Sequence, residues 1–97
     1  MELTKEKIDA LKASHPEGIY LLKDEDGNQC ILHEPSRNDY SYILACKDEV
    51  KMNELMINQL WVDGDEIIKT KFKLTIAFAK KAAEQLFQMK EVELKKL

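Results

Sequence analysis

The sequence predicts an α+β domain: an antiparallel β-hairpin, which a third strand can extend, packed against a layer of three to four helices. Two observations carry this. Short apolar runs at 19–22 and 30–32 flank Asp26-Gly27, and longer segments on either side repeat apolar residues at helical spacing. The 97 residues suit one domain, 1–97, with no repeat, linker or low-complexity block between its parts.

The first segment, LTKEKIDALKASHPEG, reads as a short helix. Thr4 is placed to cap its N-terminus, Ile8 and Leu11 share one face, and His15-Pro16 ends it, because a residue before proline avoids helical geometry. The hairpin follows in IYLLKDEDGNQCILHE. Asp26-Gly27 is a favoured two-residue turn, since both central positions need positive φ. That turn pairs Glu25 with Asn28, Leu22 with Ile31 and Tyr20 with His33. One face then carries Tyr20, Leu22, Ile31 and His33, and the other carries Ile19, Leu21, Cys30 and Leu32. Both faces are apolar, and a lone hairpin is not stable. One face is expected to pack on the helices, the other to be covered by further chain or by another molecule.

Pro35 ends the second strand. Ser36 is an expected N-cap with Asp39 at the third helical position, a shorter version of the capping box. A helix over 37–47 should bury Tyr40, Ile43 and Leu44. A second helix, over 49–62, is apolar around most of its circumference (Val50, Met52, Leu55, Met56, Ile57, Leu60 and Trp61) and reads as central and buried. Asp63-Gly64-Asp65 stops it. From Phe72 to the end the chain reads as one long helix, with Phe72, Ile76, Ala79, Ala83, Leu86 and Phe87 at helical spacing and Phe78, Ala82 and Met89 widening the face. Its last turns, KEVELKKL, have few core-type residues and are expected to project or fray.

Composition narrows the function. The formal charge is -3, from 15 basic and 18 acidic residues closely mixed, which argues against nucleic acid as a partner. The N-terminus is charged throughout, unlike a signal peptide, and the longest uncharged apolar run, LTIAFA, is too short to cross a membrane. The expected location is the cytoplasm, with reduced thiols at Cys30 and Cys46.

No constellation of residues demands catalysis or a cofactor. Asp24, Asp26 and Asn28 resemble the start of a calcium loop, but Gly27 stands at loop position 4 and Pro35 at position 12, where glycine at 6 and glutamate at 12 are required. A hairpin turn explains them better. His33 with Cys30 or Cys46 suggests a nucleophile and base, although the pairing above puts Cys30 and His33 on opposite faces. Small core residues and a strand-end histidine are the plainer reading. Asp63, Asp65 and Glu66 lack the further ligands a hard cation needs. Arg37 at a helix start invites an anion, which Asp39 opposes. Met52, Met56 and Met89 suit either an adaptable groove or core filling. No metal, cofactor or catalytic residue is therefore assigned. The expected protein-binding residues are Tyr20, Leu22, Ile31 and His33 on one hairpin face, and Phe78 and Phe87 on the last helix.

The order of features also has a precedent. A hairpin leads into Pro35-Ser36-Arg37, two helices follow, then Gly64-Asp65-Glu66 and Ile68-Lys69-Thr70, then a C-terminal helix with an ELKKL tail. Over residues 29–74 this resembles small tail assembly chaperones of phage and prophage tail modules, departing at Lys71 and Lys73, where acidic residues are more usual. The resemblance implies a non-catalytic protein that coats the tape measure protein, delivers tail tube subunits and leaves before the particle is finished. A structural connector or tube-associated protein, and a generic cytosolic adaptor acting as a homo-oligomer through its last helix, are the alternatives.

Overall fold

The computed structural model describes residues 2–88 and 91–97. Helix α1 (Lys5–Ser14) leads to strands β1 (Ile19–Lys23) and β2 (Gln29–His33). Helices α2 (Arg37–Leu44) and α3 (Glu49–Leu60) follow, then strand β3 (Trp61–Gly64), a single turn α4 (Ile67–Thr70) and helix α5 (Phe72–Leu86). The strands form one antiparallel sheet in the order β1-β2-β3. The α+β class and the third strand both agree with the sequence. β3 is made of Trp61 to Gly64, residues expected to end a helix and turn the chain.

The hairpin register differs by one residue from the expected one. Tyr20 pairs with Leu32, Leu21 with Ile31, and Leu22 with Cys30. The cause lies in the turn. Asp24 to Gly27 form it, closed by the Gly27 N–H donating to the Asp24 carbonyl at 3.3 Å. The Asp24 carboxylate accepts the backbone N–H groups of Asp26 (3.0 Å) and Asn28 (2.8 Å). Gly27, at φ 87°, supplies the left-handed residue that completes a three-residue loop. A one-residue slip exchanges faces along a whole strand relative to its neighbour. Tyr20 and Leu22 therefore share a face with Cys30 and Leu32, while Ile31 and His33 share the opposite face with Ile19 and Leu21.

The two faces have different covers. Cys30 and Leu32 enter the main core with Ile43, Met56, Ile57, Leu60, Ile68, Phe78, Ala79, Ala82 and Leu86. α3 is central as expected, touching α2, α4, α5 and β2. Helix α1 lies over the opposite face. Its Lys7 ammonium reaches the Asp63 carboxylate at 2.6 Å, and its His15 ring stacks on His33 with centroids 5.8 Å apart. The expected caps are present at Thr4 and at Ser36, where Ser36 and Asp39 exchange hydrogen bonds in a full capping box.

Four helical expectations need correction. Leu44 closes α2 with its side chain exposed, and Val50 and Phe72 are also exposed. The helix after Phe72 stops at Leu86, and residues 91–97 form neither helix nor strand. Met89, the third member of the methionine set, lies outside the described residues. Met56 is in the core and Met52 packs against it, which is the core-filling alternative for that pair.

Gly64 is fixed by space as well as by its φ of 154°. A Cβ there would sit 2.6 Å from the Cα and Cβ of Cys30 and 2.8 Å from the Gln29 carbonyl oxygen. Since these are largely backbone atoms of the central strand, β3 cannot yield without losing its pairing. Gly64→Ala is expected to cost about 2–3 kcal/mol. Gly27→Ala meets open space and carries only the left-handed backbone cost of about 1 kcal/mol. Urea denaturation of the two variants checks both the order and the gap.

Candidate protein-binding groove

β1 is an edge strand. It pairs with β2 on one side and, among the described residues, with no strand on the other. The two hydrogen bonds that frame the ladder define which backbone groups face outward. Asp24 N–H donates to the Asn28 carbonyl at 2.9 Å, and Glu34 N–H donates to the Gly18 carbonyl at 3.0 Å. Hydrogen-bonded pairs alternate along an antiparallel ladder. Even-numbered residues of β1 thus bond to β2, and the N–H and C=O groups of Ile19, Leu21 and Lys23 point to the open edge.

Beside that edge runs α5, antiparallel to β1. Between them lies a groove of about 550 Å³ lined by Tyr20, Leu21, Leu22, Lys23, Lys81, Ala82, Gln85 and Leu86. A smaller depression of about 100 Å³ continues it past Leu22 and Lys23 to Ala77, Phe78 and Lys81. The floor is apolar, made by Tyr20 (40% exposed), Leu22, Ala82 and Leu86, with Leu21 (53% exposed) at the strand rim and two lysines flanking it. Tyr20 is held in place by its hydroxyl, which donates to the Glu34 carboxylate. That hydrogen bond, followed by burial and the carboxylate's charge, pushes the phenol above its ordinary value.

The six residues expected to bind protein do not form one surface. Tyr20 and Leu22 line the groove. Ile31, 2% exposed, is sealed on the α1 side of the sheet, and Phe78, 5% exposed, belongs to the core. Phe87 meets Tyr40 edge-on, centroids 4.9 Å apart, while the Tyr40 hydroxyl donates to the Leu86 carbonyl at 2.8 Å. His33 lies on the far face, its Nδ1 3.0 Å from the Glu34 carbonyl and its Nε2 3.2 Å from the Gln59 carbonyl. Leu21, Lys23, Lys81 and Gln85 carry no local mark of a site in the sequence. The shifted register brings Leu21 and Lys23 to the edge, and only the antiparallel course of α5 brings Lys81 and Gln85 beside them.

The candidate chemical groups are occupied in the fold. Cys30 is fully buried, and burial, with a smaller effect from Asp65, pushes its thiol up to about 12. The Cys46 thiol donates to the Asp48 carbonyl at 3.5 Å. The acidic residues of 63–65 point to different tasks. Asp63 pairs with Lys7, and Asp65 accepts the Gln29 N–H at 2.9 Å, tying β3 to β2. Among the described residues no group of three or more His, Cys, Asp and Glu is placed to hold a metal ion, and no helix is long and apolar enough to cross a membrane. Comparison with known protein families, with curated proteins and with solved structures finds no match.

Asp39 is the polar joint of the helical layer. Its buried carboxylate accepts the Ser36 N–H at 2.8 Å and the Gln59 amide at 2.9 Å, with the His33 ring 3.9 Å away. Burial opposes its ionisation, but the Ser36 and Gln59 donors outweigh it and hold the carboxyl below its usual 3.8. Asp63, through Lys7, is lowered in the same sense. Groups with depressed folded-state values contribute their full stability above 3.8 and lose it as pH falls through the lowered values. Urea midpoints should therefore fall steeply below about pH 4. Asp39→Asn should make this acid limb shallower and cost about 1–2 kcal/mol at neutral pH.

Proposed function

We propose that this protein is a non-catalytic binding module of the tail assembly chaperone type. Its groove along the open edge of β1 receives an extended segment of another protein. The observation that carries this reading is the edge itself. Outward backbone groups at Ile19, Leu21 and Lys23 stand beside an apolar floor of Tyr20, Leu22, Ala82 and Leu86. A strand added there gains main-chain hydrogen bonds from the edge and side-chain contacts from the floor. Natural edge strands are commonly shielded by charges or by covering chain. Here Lys23 is the one charged residue of β1, and Leu21 stands open.

The segment that fits carries apolar residues at alternate positions and an acidic residue near Lys23 and Lys81. The partner class proposed, a tail tape measure or tail tube protein, rests on the resemblance of the motif order over residues 29–74 to tail assembly chaperones. Engagement of the thiols and acidic residues within the fold favours binding over chemistry.

Leu21→Asp and Lys23→Glu, both at exposed positions, should leave the denaturation midpoint within about 0.5 kcal/mol of the parent. They should also abolish or strongly weaken capture of the tape measure protein from the same gene cluster, as read by co-purification and titration calorimetry. Undiminished capture by both variants would refute the groove as the binding surface. Absence of capture by the parent chain would refute the partner.

A further inference from the structure

In the segment 91–97, EVELKKL, acidic and apolar residues alternate over Glu91, Val92, Glu93 and Leu94. All seven residues are exposed, and Val92, Leu94 and Leu97 are among the most exposed large apolar side chains in the chain. An alternating pattern suits a strand with one apolar face. It matches the pattern that the β1 edge calls for. As a strand the segment spans about 23 Å, enough to cover β1 at about 17 Å.

We propose that this segment of one copy docks as an antiparallel strand on the β1 edge of a second copy, giving a reciprocally exchanged dimer. The inference rests on reading the groove as a strand-accepting surface, but not on the identity of any tail protein. The pairing that satisfies both charge and pattern sets Leu94 opposite Tyr20, Val92 opposite Leu22, Glu93 opposite Leu21 and Glu91 opposite Lys23. Val92 and Leu94 then lie on the face of Tyr20 and Leu22, over Ala82 and Leu86. Leu21 and Lys23, whose backbone groups point outward, fall in the hydrogen-bonded pairs. The Glu91 carboxylate meets the Lys23 ammonium, an opposite-charge cross-strand pair of the favourable kind. Apolar pattern and charge are complementary within one sequence, and a two-fold arrangement closes the contact on itself. A partner strand competes for the same edge, so the dimer is the resting form and partner binding separates it.

Sedimentation of the full chain should give the mass of two chains, and Val92→Asp with Leu94→Asp should reduce it to one. Both changes lie in exposed positions, so the fold is not at stake. Copies carrying Leu21→Cys and copies carrying Glu93→Cys, each with Cys46→Ser, should form a mixed disulfide when combined, because the paired Cα atoms stand about 5.5 Å apart. A monomeric parent, a doubly substituted chain that remains dimeric, or failure of the mixed disulfide would each overturn the proposal. A chain carrying both cysteines that closes its disulfide within a monomer would do the same, placing the segment on its own edge. A monomeric parent that still captures the tail protein would sink the self-docking alone and leave the binding function standing.

Discussion

The close approach of Gly64 to the Cys30 backbone is the contact on which the sheet depends. It lets β3 lie directly against β2, so that β2 is paired on both edges and buried on both faces. From that strand Cys30 and Leu32 reach the helical core, and Ile31 is sealed toward α1. Asp65 fastens the junction from outside by accepting the Gln29 N–H, while its own N–H donates to the Gln29 carbonyl at 2.9 Å. A side chain at residue 64 would force β3 away and expose the second edge of β2.

Closing one side of the sheet in this way leaves the other side open. β3 is short, and the helices on either side of it hold it in place. Trp61 begins it, packed against the core with the Lys69 ammonium 4.3 Å from its ring. The Thr75 hydroxyl donates to the Ile68 carbonyl and locks the single turn α4 onto α5. This brings α5 across the helical face until it runs along β1. The groove is thus a consequence of chain order. The same geometry that buries β2 sets an amphipathic helix beside the open edge of β1.

Much of this was legible in the sequence. The hairpin, the caps at Thr4 and Ser36 and the central place of α3 all follow from local patterns. The register did not, because Asp26-Gly27 taken alone is a strong two-residue turn. The competing signal was Asp24. An aspartate three residues before glycine is the signature of a turn whose first side chain bonds the backbone ahead, and here it accepts from Asp26 and Asn28. That single residue moves Ile31 and His33 away from Tyr20 and Leu22. The third strand is harder to read, since Trp61 and Val62 continue the apolar helical pattern, Asp63-Gly64 read as its stop, and only tertiary pairing makes all four extended. Lys81 and Gln85 carry no local mark of a site. They matter only because α5 lies against β1.

The proposed function requires the outward backbone groups of β1 to accept a strand. Amide hydrogen exchange of the dilute chain, alone and with a bound partner segment, tests it most directly. Binding should slow the amides of Leu21 and Lys23, while those of Tyr20 and Leu22, already bonded to β2, stay slow in both states. A partner that binds with no change at Leu21 and Lys23 would contradict the account.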